Sequence, residues 1–320
     1  MRFTGLCAFP LTPLTPLTPL RPLTPLTPPL AAPSPASFAV DEGAYVGLVE
    51  RLVDARVDSI GALGSTGNYA YLSRSERARI AELTVEAAGG VPVVVGVSAL
   101  STRDVLAHVA DAQRAGASGV LLAPMSYQRL TQEEAFGLYE TVAAELSVPL
   151  VVYDNPTTTG FTFTLELHGR IAELPGVTSI KIPPVPTSPD AARATLAHYR
   201  EHVSNVVTLG VSGDGSAAAG LLSGCDAWYS VLAGVLPREC QALTLAARAG
   251  DSVTAHAISA RFAPLWELFA THGSLRVVTA VAEVLGLIGS GSLPHPVRGL
   301  DAVGRRAVLR ALEAAGVVEG

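Results

Sequence analysis

The chain has 320 residues, enough for one large α/β domain, and 49% of them are hydrophobic, which supplies a sizeable core. The net charge is −6 and the arginines are scattered singly, so nucleic-acid binding is not expected. No apolar run approaches the roughly 20 residues that span a bilayer, and Pro10 interrupts the N-terminus too early for a signal peptide. Three cysteines without metal or redox spacing and histidines that do not cluster predict a cytoplasmic protein without a metal site.

Residues 11–37 are a low-complexity insert: Leu-Thr-Pro repeats to residue 29, then a looser Pro/Ala/Ser stretch. Proline at every third position removes backbone donors and fixes φ, so polyproline II or disorder is expected rather than a helix or a central strand. The segment is either an expanded loop or a docking arm for a Pro-binding domain. We favour the loop, because only Arg21 supplies a basic residue beside a PxxP core.

Short apolar runs alternate with amphipathic stretches along the chain. The runs predict strands at 3–9, 57–63, 91–97, 119–123, 149–153, 177–182, 205–209 and 226–231. The stretches between them predict helices at 41–55, 73–88, 101–115, 131–146, 164–174 and 190–202, and another after a turn at 212–215. Ser73 with Glu76 forms a capping box, and Glu134 completes a second one at the helix that begins at Thr131.

Eight short, unalternating strands, each followed by a helix, predict a (β/α)8 TIM barrel, because such strands form a fully covered parallel sheet that closes on itself. Further helices are predicted at 238–249, 251–271, 274–287 and 300–315. We therefore expect a barrel over residues 1–236, which contains the insert, and a C-terminal helical extension over 237–320.

Lys181 is the only lysine; every other residue of the 22 counted as lysine or arginine is an arginine. Arginine replaces lysine at most surface positions, but a guanidinium does not lose its proton and attack carbon. Lys181 lies near the end of a short apolar run that Pro183-Pro184 stops. Burial favours the neutral amine, which has the lone pair needed for a Schiff base. Period-two alternation places Ser179 and Lys181 on one face, so Lys181 is expected to point into the barrel mouth.

Barrel active sites lie at the carboxyl ends of the strands. The candidate site residues are Gly64, Ser65 and Thr66 after strand two, Tyr127 after strand four, Tyr153 ending strand five, Lys181 on strand six, Gly213 after strand seven and Tyr229 on strand eight. Imine formation needs a proton shuttle, a task that suits the hydroxyl of Tyr153. Ser65 and Thr66, at a glycine-flanked turn, can donate hydrogen bonds to the carboxylate of a 2-oxo acid.

These motifs together resemble the dihydrodipicolinate synthase / N-acetylneuraminate lyase family of class I, pyruvate-handling lyases. The similar segments are Gly64-Ser65-Thr66-Gly67-Asn68, Tyr153-Asp154-Asn155-Pro156, Ile180-Lys181 and Ser212-Gly213-Asp214. The resemblance implies that the first segment binds the pyruvate carboxylate, that Tyr153 shuttles protons and that Lys181 forms a covalent imine without a cofactor. It also implies a homotetramer, in which Tyr127 matches the loop tyrosine that a neighbouring subunit donates to the proton relay.

The chain departs from the family pattern in four places, of which Asn68 concerns the stability of the turn and Thr158 concerns the substrate. Asn68 stands where the family usually has glutamate, and Tyr229 is bulkier than the small aliphatic residue common there. Ile182-Pro183-Pro184 replaces the usual residues after the lysine. Thr158 stands where dihydrodipicolinate synthases carry an arginine that binds the carboxylate of aspartate semialdehyde. Losing that partner should cost about 1.5–3 kcal/mol of recognition.

The leading hypothesis is a Schiff-base-forming aldolase or lyase that acts on pyruvate or a related 2-oxo acid together with an aldehyde. One alternative is 4-hydroxy-tetrahydrodipicolinate synthase activity itself, with aspartate semialdehyde as the second substrate. The other is a catalytically idle barrel with the proline-rich segment as a docking arm, against which the complete set of imine-forming residue types argues. Asp214 is interpreted as a residue at a helix N-terminus rather than as a catalytic acid.

Overall fold

The computed structural model describes residues 2–16 and 38–319 of the chain. Eight parallel strands close into a barrel, in which the first strand of the chain pairs with both the second and the last barrel strand. The barrel strands are β1 (Gly5–Ala8), β4 (Ser59–Ala62), β5 (Val93–Gly96), β6 (Gly119–Leu122), β7 (Leu150–Tyr153), β8 (Val177–Ile182), β9 (Thr208–Val211) and β10 (Ala227–Ser230). This arrangement confirms the predicted (β/α)8 barrel.

The helices that cover the barrel follow the strands in chain order. They are α1 (Glu42–Asp54), α2 (Arg74–Ala87), α3 (Thr102–Arg114), α4 (Gln132–Ala144), α5 (Pro156–Thr159), α6 (Leu165–Ala172), α7 (Pro189–His202) and α8 (Ala217–Ser223). Both predicted capping boxes are present, at Ser73 before α2 and at Thr131 before α4. The sequence analysis did not predict α5, a single turn that begins with Pro156 and is capped by the side chain of Asn155.

The start of the insert differs from the predicted polyproline II or disordered segment. Leu14–Pro16 (β2) pairs antiparallel with Phe38–Val40 (β3), apart from the barrel sheet. A two-stranded ribbon tolerates proline because one edge of each strand needs no partner, and Leu14 gains a buried position there. The rest of the predicted segment, residues 17–37, lies outside the described residues.

The C-terminal helices are α9 (Pro237–Arg248), α10 (Ser252–Arg261), α11 (Ala263–His272), α12 (Ser274–Val284) and α13 (Ala302–Ala314). The single helix predicted over 251–271 is wrong, because the chain breaks at Phe262 between α10 and α11. Pro264 lies in the first turn of α11, where it needs no hydrogen-bond partner, but its ring would clash with the preceding turn of a continuous helix. None of the helices within the described ranges has the length and apolar composition needed to cross a bilayer.

Helix α9 packs against β1 and α8, so it occupies the place of the eighth barrel helix. The division into a barrel over 1–236 and an extension over 237–320 stays a prediction, and this packing favours a boundary after Arg248. The seventh strand begins later than the predicted 205–209, since Val206 is 73% exposed and the buried run starts at Val207.

The barrel interior is a separate apolar layer inside the ring of strands. Its buried members are Phe3, Cys7, Phe9, Val94, Leu121, Ala123, Val151, Tyr153, Ala227 and Tyr229. Ile180 and Ile182 instead pack in the outer layer, beneath the helices. The alternation along β8 therefore directs Ser179 and Lys181 inward, as the sequence predicted.

Two aromatic rings of this interior occupy space that glycines leave open. A Cβ atom at Gly61 or Gly64 would clash with the ring of Phe9, and one at Gly210 would clash with the ring of Tyr229. The rings and glycines lie on neighbouring strands and loops at the upper end of the barrel. The glycines are thus part of the packing of the aromatic layer next to Lys181.

We expect Gly210→Ala to lower the free energy of unfolding by about 1–3 kcal/mol, because the added methyl group forces the buried ring of Tyr229 to move. Urea unfolding measures the change. Gly47→Ala is the matched control: its Cβ meets no atom within 4 Å, and alanine inside α1 should raise stability by about 0.5–1 kcal/mol. Equal effects of the two substitutions would contradict the packing role of Gly210.

Candidate active site

A cavity of about 190 Å³ opens at the carboxyl ends of the barrel strands. Its walls come from the residue after β1, the turn after β4, the ends of β7 and β8, the turn after β9, and β10. The C-terminal helices contribute Phe269 from α11 and Ser274 from the start of α12. One chain therefore builds most sides of the cavity from residues far apart in sequence.

Lys181 lies on β8 directly opposite Tyr153 on β7, and the Asp154 N–H donates to its carbonyl oxygen at 3.0 Å. The side chain is 4% exposed. Its Nζ is 4.2 Å from the ring centroid of Phe9 and 4.3 Å from that of Tyr153. The lone lysine therefore reaches the cavity through an apolar, aromatic wall.

The hydroxyl of Tyr153 lies at the centre of a small polar network. Asn155 Nδ2 donates to it at 2.8 Å, and the Oγ of Ser65 lies 3.4 Å away. Because Asn155 already donates, the Tyr153 proton is free to point towards Ser65 or into the cavity. This arrangement suits a group that passes a proton between the amine and a bound substrate.

The turn after β4 folds into one turn of 3-10 helix over Ser65–Gly67, with Gly64 before it and Asn68 after it. Asn68 adopts the left-handed conformation at φ 59°, which asparagine tolerates better than glutamate does. Its buried side chain donates to the carbonyl oxygen of Thr12 at 3.0 Å. The substitution at position 68 thus fixes the turn against the start of the insert, while Ser65 and Thr66 remain in the cavity wall.

The turn after β9 has a structural role on one side of the cavity. Gly213 has φ 76°, which favours glycine, and a Cβ there would also clash with Pro184. The carboxylate of Asp214 accepts hydrogen bonds from the Trp228 indole and from the N–H groups of Val231 and Leu232, at 2.9–3.2 Å. Burial raises the pKa of Asp214. These bonds join the ends of β9 and β10, which supports a structural role for this carboxyl.

Comparisons with known proteins place this geometry in a family. The model of the dihydrodipicolinate synthetase family matches residues 23–315. The chain belongs to the dihydrodipicolinate synthetase family. A 4-hydroxy-tetrahydrodipicolinate synthase of Methylococcus capsulatus is 34% identical over 291 residues, 90% of this chain and 97% of that protein. An uncharacterized DapA-like lyase of Halobacterium salinarum is 34% identical over 256 residues, 78% of this chain and 80% of that protein.

Among solved structures, the crystal structure of a dihydrodipicolinate synthase from Agrobacterium tumefaciens superposes with a TM-score of 0.87. The two chains are 41% identical, and the match covers 98% of each. These comparisons confirm the predicted family, the barrel fold and the enzyme class, a lyase.

The structure brings together all but one of the site residues predicted from the sequence. Gly64 precedes the Ser65–Gly67 turn, and the other residues brought together line the cavity, namely Ser65, Thr66, Tyr153, Lys181, Gly213 and Tyr229. Tyr127 does not line it: the loop between β6 and α4 carries it, and its side chain is 91% exposed. The hydroxyl of Tyr229 lies 2.7 Å from Ser179 Oγ, inside the barrel, so the residue offers the cavity its ring rather than its hydroxyl.

Sequence reasoning missed Phe9, Asn155 and Phe269. Asn155 lay within the recognised Tyr153–Pro156 segment, and its amide next to the predicted proton shuttle was an available signal. Phe9 is the last apolar residue of the predicted first strand, over 3–9. The glycines at 61 and 64 are a signal for a large neighbouring side chain. Phe269 reaches the cavity only through the packing of α11, which no local pattern indicates.

Behind the cavity, Asp154 and His168 form a buried pair that the sequence did not predict. His168 Nε2 lies 3.4 Å from Asp154 Oδ2, and the ring of Phe163 stacks on the imidazole at 4.8 Å. Burial raises the pKa of Asp154 to about 7 and lowers the pKa of His168 to about 4. Both shifts favour a neutral pair, because an apolar environment penalises either charge.

The stability of this pair should depend on pH. From about pH 4 to 7 the folded chain keeps a proton on Asp154 that the unfolded chain has released, so the contribution of Asp154 to the free energy of unfolding falls as pH rises. The free energy of unfolding of the unsubstituted protein, minus that of Asp154→Asn, should fall by about 1.4 kcal/mol per pH unit in the steepest part of this window. Urea unfolding at pH 5, 6, 7 and 8 measures the difference. A difference that stays constant with pH would refute a raised pKa for Asp154.

Proposed function

We propose that the chain is a class I lyase that forms a Schiff base between Lys181 and pyruvate or a related 2-oxo acid. The observation that carries the proposal is the single lysine of the chain, buried at the barrel mouth opposite Tyr153. Relatives named 4-hydroxy-tetrahydrodipicolinate synthase support a lyase of this kind.

The chemistry assigns each group a step. Attack of the Lys181 Nζ lone pair on the keto carbon forms the C–N bond; the nitrogen then loses a proton and the former keto oxygen gains one, which gives a carbinolamine. The carbinolamine then loses its hydroxyl group as water, and the nitrogen becomes an iminium. Tyr153 can supply and remove these protons, since its hydroxyl lies in the cavity wall with Asn155 and Ser65 as neighbours.

The iminium acts as the electron sink for the carbon–carbon step. Loss of a proton from the neighbouring carbon gives an enamine, whose carbon attacks an aldehyde; the reverse sequence cleaves the same bond. The proposed reaction therefore uses a covalent imine through Lys181 and no other cofactor. Ser65 and Thr66, at the turn after β4, are proposed to hold the carboxylate of the 2-oxo acid.

Tyr127 fits this scheme only through a second copy of the chain. Its side chain is 91% exposed and does not line the cavity of its own chain. We propose that it completes the proton relay of a neighbouring subunit in a homo-oligomer, a tetramer or a dimer of dimers.

The cytoplasmic location also remains a proposal, supported by three cysteines that are all free and buried.

Borohydride reduction in the presence of pyruvate should trap one adduct per chain, on Lys181. Peptide mass mapping locates it, and the N-terminal amine is the other primary amine that could react. Lys181→Arg should form no adduct and should lose activity by orders of magnitude, because its guanidinium keeps the charge but not the nucleophilic lone pair. An adduct elsewhere, or a native protein that forms none, would overturn the proposal.

The second candidate is 4-hydroxy-tetrahydrodipicolinate synthase activity, which the names of several relatives favour. It requires aspartate semialdehyde, an aldehyde with a carboxylate of its own. The cavity wall contains Thr157 and Thr158, both exposed, and among the described residues it contains no arginine. With Lys181 engaged by the 2-oxo acid, the part of the wall that the structure describes offers no other cation for the second carboxylate. We therefore favour an acceptor aldehyde without a carboxylate.

Thr158→Arg should raise kcat/KM for aspartate semialdehyde by roughly 10- to 100-fold, the equivalent of one charged hydrogen bond, and should change kcat/KM for an uncharged aldehyde little. Pyruvate consumption measures both. Thr157→Arg places the same charge one residue away, so it should raise kcat/KM for aspartate semialdehyde less. If the native protein already turns over aspartate semialdehyde faster than uncharged aldehydes, the second candidate is correct.

A further inference from the structure

Three aromatic rings surround the Nζ of Lys181. The centroid distances are 4.2 Å for Phe9, 4.3 Å for Tyr153 and 5.7 Å for Tyr229, all within the range of cation–π interactions. No carboxylate pairs with Lys181 within residues 2–16 and 38–319. Within the described residues, the amine therefore has ring faces rather than a carboxylate as its close electrostatic partners.

The surrounding structure holds two of these rings in place. Phe9 fills the space above Gly61 and Gly64, where any Cβ would clash with it. The ring of Tyr229 fills the space at Gly210, and its hydroxyl lies 2.7 Å from Ser179 Oγ, deeper in the barrel. Both rings are almost fully buried. Neither can turn away from the lysine without leaving a void.

Ring faces and carboxylates affect imine chemistry differently. A carboxylate would hold the amine as an ammonium ion through a strong ion pair, which opposes nucleophilic attack. A ring face attracts a cation more weakly than a carboxylate does. The iminium carries its positive charge at the same nitrogen, so the rings stabilise the product of the condensation at a side chain that is 4% exposed.

We propose that Phe9 is a catalytic residue that stabilises the iminium on Lys181 through its ring face, with Tyr229 as a second, more distant ring. This inference rests on the proposed imine function, and it assigns to an apolar residue a role beyond filling the barrel. Tyr153 is closer than Tyr229 but also shuttles protons, so Phe9 is the residue that tests the ring effect alone.

The test measures the equilibrium constant for imine formation with pyruvate, by borohydride trapping over a range of pyruvate concentrations and intact-protein mass spectrometry. Phe9→Leu removes the ring and keeps an apolar side chain, so the constant should fall roughly two- to thirtyfold. Phe3→Leu is the matched control: Phe3 is a buried ring of the same interior layer, it packs against Gly119, and it does not line the cavity. That substitution should lower stability but leave the imine constant unchanged.

A second measurement keeps the shape of the ring. Site-specific replacement of Phe9 by phenylalanines with increasing numbers of ring fluorines withdraws charge from the face, and the imine constant should fall with each fluorine. A folded Phe9→Leu protein with the native constant, or a fluorine series without a trend, would overturn the role of Phe9. If instead the native protein forms no imine at all, the proposed function itself fails, so the two failures are distinguishable.

Discussion

The burial of one amine at the end of β8 is the constraint on which the site depends. Parallel pairing sets Tyr153 opposite Lys181, and the same pairing continues through the Asp154 N–H to the carbonyl oxygen of Lys181. The two side chains with proposed functional roles are therefore held by backbone hydrogen bonds of a closed sheet, not by loops. A closed barrel leaves no free edge along which these strands could slip, so the fold fixes the backbone positions of Lys181 and Tyr153 relative to each other.

The aromatic layer adds a second constraint. A large side chain on one strand fits only because the facing residue on the neighbouring strand or turn is a glycine. Large rings at Phe9 and Tyr229 are possible only where Gly61, Gly64 and Gly210 carry no Cβ. Interiors are packed to crystal-like density, so a ring and the glycine beneath it act as one unit. This unit both closes the barrel under the cavity and sets the surroundings of the lysine.

Much of this organisation could be predicted from the sequence. Apolar runs separated by capped amphipathic helices predicted the barrel, and the alternation along the sixth strand predicted the inward direction of Lys181, whose amine chemistry stays a proposal. One prediction failed at a local signal, a proline, and the others failed where a distant contact decides the outcome. The break at Phe262 depends on one proline in a long amphipathic pattern, and the ribbon of Leu14–Pro16 depends on pairing across the insert. Phe269 reaches the cavity wall only in the folded chain, because the other wall residues are distant in sequence. His168 likewise meets Asp154 only through the packing of α6.

The single buried lysine also determines how the protein can be modified after synthesis. Acetylation and ubiquitination of lysine both require an ε-amine, and the single lysine of this chain, Lys181, is 4% exposed. Arginine provides the remaining basic charges without offering an acceptor for these groups. Any enzyme that did acylate the side chain of a lysine in this protein would have to reach the barrel mouth and would consume the proposed nucleophile. Lysine modification and loss of imine chemistry would therefore be the same event.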